Sequence, residues 1–408
     1  MSLEEANRCL MCKKPKCRQS CPIDTPIPEV IKLYMEGNFE EAGRILFENN
    51  PLSAVCALVC PHEDQCAGHC IRGIKTEPVR FYDIEKEISI KHLETLIKEK
   101  PNLDKDRIAI VGGGPAGITI AAILAQRGYR VTIFDAHDKI GGVLRYGIPE
   151  YRLPKKIVDD IEEYLVHLGV KIRPNTLIGP VISLDRLLED SYKAVFIGTG
   201  VWNPKTLNIK GETLGHAHFA IDYLKSPETY RLGKKVGIIG AGNVAMDAAQ
   251  MAKRSGADVT VFYRKGFENM SATKFEIEEA KEAGINFGLF RAPLEITEEG
   301  IRLAITENAI AEDGRLYSKF LEGQEELFKC DSVIIAVSQN PKANIVSTAK
   351  DLETNRWGLL VTDEFGNTTK EGVFACGDVV TGAKTVVQAV ANAKAVAETI
   401  DQYCQSHK

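Results

Sequence analysis

Apolar and polar positions along the chain follow three regimes. Up to about Lys100 the apolar residues recur at helical spacing in short stretches broken by Cys, Pro and charge. Asp24-Thr25-Pro26 reads as a helix start before a face of Val30, Ile31, Leu33 and Tyr34, with Gly37 as its stop. A second stripe runs from Phe39 to Phe47 and ends at Asn49-Asn50-Pro51. Ile84 to Lys98 is a third helix candidate, leading into a charged linker from Lys98 to Arg107 that contains Pro101. At Arg107 the period changes. Arg107 to Val111 is a buried-strand run, followed by a glycine turn, a helical run from Ile118 to Arg127, a stop at Gly128 and a strand from Val131 to Phe134. The same βαβ grammar returns later, with a strand Lys235–Ile239, a turn Gly240 to Gly242, a helix Val244–Arg254 and a strand Val259–Tyr263. These two openings are the one internal similarity. They predict an α/β fold with two Rossmann-like nucleotide-binding domains behind an α-helical region. The expected boundaries are 1–103 for the helical region, 104–228 with 331–408 for the first nucleotide domain, and 229–330 for the second.

A chain of 408 residues accommodates two or three such domains. Its net charge of −5 gives no electrostatic reason to expect nucleic acid or an anionic membrane as partner. The start, Met1-Ser2-Leu3-Glu4-Glu5, is polar and unlike a signal peptide, and no apolar stretch reaches the roughly 20 residues that span a bilayer. The expected location is the cytoplasm. In that reducing compartment, clustered cysteines read as metal ligands before disulfides. Eight of the 11 cysteines lie between Cys9 and Cys70.

They form two runs, Cys9-x2-Cys12-x4-Cys17-x3-Cys21-Pro22 and Cys56-x3-Cys60-x5-Cys66-x3-Cys70, with Pro61 after Cys60. Dense runs containing Cys-Pro suit iron–sulfur clusters, and the last cysteine of such a run often reaches a second cluster. Zinc is the competing reading, since it could recruit His62 or His69. A single four-ligand zinc site would leave about half of these cysteines unused, although two sites would not. The two histidines are otherwise expected to be solvated loop residues.

Gly112-Gly113-Gly114-Pro115-Ala116-Gly117 fits the dinucleotide loop G-x-G-x-x-G between a strand and a helix. Gly112 serves the tight turn, Gly114 the approach of a pyrophosphate, Gly117 the packing of helix on strand, and the helix N-terminus faces the phosphates. Asp135, at the end of the next strand, stands where an acid binds a ribose hydroxyl. The second loop, Gly240-Ala241-Gly242-Asn243-Val244-Ala245, is the alanine variant. Its second strand ends in Tyr263-Arg264-Lys265, and two cations in place of the acid favour a 2′-phosphate, hence NADP(H). Near the C-terminus, Gly372-Val-Phe-Ala-Cys-Gly377-Asp378 precedes a helical run from Thr385 and Val386. That arrangement suits a carboxylate on a ribityl hydroxyl, so one of the two nucleotides is expected to be FAD.

The two cysteine runs, GGGPAG, the segments Gly141-Gly142-Val-Leu-Arg-Tyr-Gly-Ile-Pro149 and Tyr151-Arg-Leu-Pro154, GAGNVAMD and ACGDVV together carry a resemblance. Over nearly its whole length the chain resembles the small subunit of glutamate synthase and the N-terminal half of dihydropyrimidine dehydrogenase. In layout it is similar to the short flavin subunit of bacterial dihydropyrimidine dehydrogenases. The resemblance implies a double-cluster helical domain. By it, Cys9, Cys12, Cys17 and Cys70 hold one [4Fe-4S] cluster, while Cys21, Cys60, Cys66 and Glu85 hold the other, and Cys56 is a packed bystander. It also implies that Gly142, Leu144, Arg152 and Leu177 approach FAD and that Arg264 and Lys265 meet the NADPH phosphate. Ser271 departs from the arginine that dihydropyrimidine dehydrogenase carries at that position.

Flavin-dependent disulfide reductases use a similar two-nucleotide fold with a cysteine pair beside the flavin. Here Cys330, Cys376 and Cys404 are widely separated, so electrons are expected to leave FAD for the clusters. Hydride transfer needs geometry and no side-chain acid or base, and no catalytic residue is expected. Glutamate or pyrimidine chemistry would need a partner subunit, expected to bear FMN. A ferredoxin-linked transhydrogenase subunit and a zinc-bound NADPH-binding module without redox activity are the alternatives.

Overall fold

The computed structural model describes residues 2–96, 101–349 and 351–407. It opens with short helices α1 (Ser2–Asn7) and α2 (Lys16–Gln19), then α3 (Ile27–Met35), α4 (Phe39–Asn49), α5 (Ser53–Val59) and α6 (Phe81–Thr95). Helix α3 starts as the pattern predicts, but Asp24 is not its cap. Its carboxylate takes a bidentate hydrogen bond from Arg18, and Pro26 occupies the cap position. Gly37 does end the turn, at φ +73°. Helix α6 begins three residues earlier than expected, and its expected end at Lys98 lies outside the described residues. The amphipathic faces of α3, α4 and α6 meet in one small core of Val30, Ile31, Leu46, Phe81, Ile84 and Ile88, against which Cys9, Cys17 and Cys70 pack.

Strand β1 (Arg107–Val111), helix α7 (Pro115–Gln126) and strand β2 (Arg130–Phe134) form the first βαβ unit. Helix α8 (Lys155–His167), β3 (Lys171–Arg173) and β4 (Tyr192–Ile197) follow. The chain then builds a separate unit. Its sheet contains β5 (Ala217–Phe219), β6 (Lys235–Ile239), helix α9 (Asn243–Arg254), β7 (Asp258–Tyr263), helix α10 (Lys274–Glu282) and β8 (Asn286–Leu289). A three-stranded antiparallel sheet of β9 (Arg291–Thr297), β10 (Gly300–Ile310) and β11 (Leu316–Lys329) comes next, before β12 (Ser332–Ile335). The chain returns to the first sheet with β13 (Val373–Ala375) and ends in the long helix α11 (Val386–Ser406).

The two parallel sheets share one topology, β13-β4-β1-β2-β3 and β5-β12-β6-β7-β8. In each, the strand before the glycine loop lies between neighbours reached in opposite directions, and that switch is where an open α/β sheet leaves a crevice for a ligand. The sequence boundaries at 229 and 330 therefore move outward. Strands β5 and β12 pair into the second sheet, through Val333 with Ala217 and Gly237, so the second unit spans 202–339 with the short segment Tyr146–Pro149. The helical region and the first sheet form the other compact unit. The ring of Phe47 meets that of Tyr164 edge-on at 5.0 Å, and Lys394 donates from α11 to the backbone and side-chain oxygens of Asn49 at 2.7 Å each. No helix among the described residues is long and apolar enough to cross a membrane.

Candidate cofactor sites

Cys9, Cys12, Cys17 and Cys70 line one cavity, together with Cys66, walled by Ile27, Ile31, Val79 and Phe81. Met11, at φ +46°, turns the backbone between Cys9 and Cys12, and α2 carries Cys17. Cys70 arrives from the second run, and the Val79 amide donates to its sulfur at 3.5 Å. Burial pushes the Cys17 thiol up to about 11, and Cys70, Cys9 and Cys12 add to the rise; Cys9 is raised by burial, then by Cys12 and Cys70. Buried thiols such as these two resist ionising alone and give up their protons readily when iron takes their place. The Nε of Arg72, in the same wall, is buried without a hydrogen-bond partner, a donor left over for sulfide. These features fit a [4Fe-4S] group.

The second set gathers around Glu85, which α6 holds almost fully buried. Burial, then the nearby Cys56, hold its carboxyl well above the usual range. Cys66 is pushed up by burial and then by Glu85 and Cys21. Cys60 is raised by the adjoining Cys56 thiol and by burial, with Glu85 and Cys66 contributing. Cys60, Cys66 and Glu85 are thus electrostatic neighbours, and Cys66 also feels Cys21. Cys56, expected to be a packed bystander, is buried with its thiol against Cys60 and is an electrostatic neighbour of Glu85. The i, i+4 spacing of Cys56 and Cys60 near the end of α5 was the available signal. Among the described residues no three His, Cys, Asp or Glu side chains converge on the position of a single ion. The expectation of two solvated histidines holds for His69 alone. His62 stacks on Tyr82 at 4.3 Å and its Nε2 lies 3.2 Å from the Cys56 carbonyl, so burial drops its pKa to about 4.

At the first glycine loop, each glycine has a separate reason. A Cβ on Gly112, at φ +101°, would meet Gly198 O at 2.6 Å, and one on Gly117 would meet Gly112 O at 2.0 Å. Gly114 differs, because nothing lies closer than 4.0 Å to where its side chain would be. That open cradle, at the N-terminus of α7 with Pro115 and Ala116 in the first turn, is the space a pyrophosphate fills. Asp135 is buried and already engaged, accepting from the Gly113 amide at 2.7 Å and the His137 amide at 2.8 Å. It fixes the loop, and its remaining lone pairs are what a ribose would find. Gly142 abuts Gly114, since a Cβ there would fall 2.8 Å from the Gly114 Cα. Gly377, at φ +73°, brings its turn to within ordinary contact of Ala116. Asp378 follows it, raised by burial to about 6 against the Lys384 amide at 3.2 Å. Thr385 caps α11 in a reciprocal pair with Gln388, and Val386 opens that helix.

Leu144, two residues after Gly142, is fully buried. Arg152 is half-buried, and Leu177 is 38% exposed in the turn after β3. Gly198-Thr199-Gly200, unread in the sequence, follows β4 directly against Gly112, and a glycine pair after a buried strand was its signal.

In the second unit, Gly240 at φ +137° sits against Ala336 O, where a Cβ would come within 2.2 Å. Gly242 has only the Ser271 hydroxyl near, at 3.1 Å from a Cβ, and Asn243 and Val244 begin α9. Arg264 and Lys265 diverge. The Arg264 side chain is exposed and makes no ion pair among the described residues, whereas Lys265 Nζ donates to the Leu316 carbonyl at 3.1 Å.

Comparison with known proteins agrees with this arrangement. A family model for pyridine nucleotide-disulphide oxidoreductases matches residues 78–189 and 106–393, and one for dihydropyrimidine dehydrogenase domain II, 4Fe-4S cluster, matches 1–98. The NADPH glutamate synthase small chain of Escherichia coli is 31% identical over 97% of this chain and 90% of its own length. That of Azospirillum brasilense is 32% identical over 99% and 89%. The NADPH-Fe(3+) oxidoreductase subunit beta of Geobacter sulfurreducens is 32% identical over 96% of this chain and 64% of its own. Mycobacterium tuberculosis FprA in complex with NADPH shares the fold, at TM-score 0.64 and 18% identity over 74% of this chain and 85% of that one. The fold and the donor sets define an NADPH-dependent oxidoreductase whose cofactors are FAD and [4Fe-4S] clusters. The chain belongs to the pyridine nucleotide-disulphide oxidoreductase family, in the line of the glutamate synthase small chains.

Proposed function

We propose that the chain is an electron-input subunit, oxidising NADPH and delivering electrons to a partner subunit that bears FMN, of the glutamate synthase or dihydropyrimidine dehydrogenase type. The names of its relatives, small chain and subunit beta, support a partner. When bound, FAD takes the hydride of NADPH and the clusters carry single electrons onward. The chain's residues hold and orient. Gly112, Gly114, Gly117 and the start of α7 take the FAD pyrophosphate, Asp135 its ribose, and Asp378 its ribityl chain. Gly240, Gly242, Asn243 and Val244 take the NADPH pyrophosphate. Arg264, unpaired, is the principal 2′-phosphate cation, and Lys265 is secondary because it is already bonded. Cys9, Cys12, Cys17 and Cys70 ligate one cluster, and Cys21, Cys60, Cys66 and Glu85 the other.

One observation carries the relay. Cys21 Sγ, of the second set, lies 3.2 Å from the Thr25 hydroxyl, which accepts from Asn49 Nδ2 at 3.5 Å, and Asn49 Oδ1 accepts from Lys394 of α11, the helix that packs on the flavin sheet, at 2.7 Å. The cavity of the first set is lined by the exposed Leu10 and Ile71. These contacts support a path from the flavin side through the second set to the first. In an anaerobic titration of the loaded protein, NADPH should bleach the flavin and then raise a paramagnetic cluster signal. Arg264→Ala should raise KM for NADPH about tenfold and leave that for NADH nearly unchanged. Flavin bleaching with silent clusters, or a colourless protein holding zinc, would refute the relay.

A further inference from the structure

The two segments that carry the first cysteine set are wholly basic. Residues 8–23 contain Arg8, Lys13, Lys14, Lys16 and Arg18, and residues 70–76 contain Arg72 and Lys75, with no acid in either, although the whole chain is net −5. Arg8 and Arg18 are neutralised locally by Glu5 and Asp24. Lys13, Lys14, Lys16 and Lys75 are exposed and make no ion pair among the described residues. Between them lies apolar surface, with Leu10 53%, Met11 36%, Ile71 43% and Ile74 78% exposed. Lys16 and Arg72 share the wall of the cysteine cavity with Leu10 and Ile71, and exposed apolar surface flanked by cations is the anatomy of a docking site. Leu10 and Ile71 also form the wall of the cysteine cavity, so whatever covers this face lies one side chain from the first set.

We propose that this face docks the electron acceptor, and that the acceptor is a protein presenting an apolar spot ringed by carboxylates. The inference rests on the relay proposed above and goes beyond it by naming the surface and the charge of the partner. A second copy of this chain does not suit the face, because two such faces would set cations against cations. An acidic partner gains steering toward the face that walls the first cysteine set.

The test uses the protein loaded with FAD and clusters, with a plant-type [2Fe-2S] ferredoxin as the acidic probe and cytochrome c as the basic control. Calorimetry should show ferredoxin binding that weakens with added salt and that falls about tenfold in Lys13→Glu/Lys14→Glu/Lys75→Glu. The same variant should keep flavin bleaching by NADPH and the cluster signal. Ile74→Asp should weaken binding without changing its salt dependence. Unchanged ferredoxin binding in the triple variant, preference for cytochrome c, or capture by anionic vesicles in place of ferredoxin would overturn the docking surface while the relay stands. If NADPH does not reduce the clusters of the unmodified protein, the relay fails and the docking surface fails with it.

Discussion

A carboxylate buried among thiols is costly unless positive charge shares its site. Glu85 sits in that position, with Cys56, Cys60 and Cys66 as electrostatic neighbours and its ionisation opposed by burial. Iron would relieve the conflict, and this is the physical case for Glu85 as the fourth ligand of the second cluster. Cys56 is the competitor, since its thiol adjoins Cys60. The two are separable by iron content. Glu85→Ala should lose about half of the bound iron and its cluster signal, and Glu85→Cys should restore it, while Cys56→Ser keeps the full complement. The opposite pattern would make Cys56 the ligand. The sequence could list the donors but not choose between these two, because the choice depends on how α5 and α6 bring residues 56 and 85 together, which no local spacing encodes.

The first βαβ unit divides its glycines into those that fold the loop and those that leave room. Gly117→Ala would drive a methyl group to 2.0 Å from Gly112 O, between helix and strand, where neither can yield. It should cost about 2–4 kcal/mol of stability by thermal or denaturant melting. Gly114→Ala meets nothing within 4.0 Å and should fold normally, yet retain FAD about tenfold less well, read from the flavin-to-protein absorbance ratio. Equal effects of the two would remove the distinction. Such elements were legible because punctuation and period agree. Strands Arg107–Val111 and Lys235–Ile239 fall where the apolar runs and glycine turns predict them. Strands Ala217–Phe219 and Ser332–Ile335 were not, since each is short and acquires its identity only by pairing across more than a hundred residues of chain. The three-stranded sheet was silent for another reason. Leu316–Lys329 is a largely exposed strand, rich in charge, without the clean alternation of a strand with one buried face.

At the scale of the molecule, the described chain forms two compact units where the sequence suggests three domains. The helical region was expected to stand apart because its composition differs so sharply. Lys394, Asn49, Phe47 and Tyr164 join it to the flavin sheet through contacts between residues more than a hundred positions apart, which composition does not report. Calorimetry of the loaded protein should therefore resolve two unfolding transitions, with the helical region and the flavin sheet melting together. A third, separate transition tied to cluster loss would contradict that coupling.

The way the two cysteine runs interleave has a consequence for biogenesis. In the proposed assignment, Cys70, late in the second run, completes the set begun by Cys9, while Cys21, late in the first, joins Cys60 and Cys66. Neither set can be completed on a growing chain until the segment through Cys70 or Glu85 has emerged, so iron delivery must follow synthesis of nearly the whole helical region. Each delivery then closes a loop of about fifty residues in a region whose own core is small.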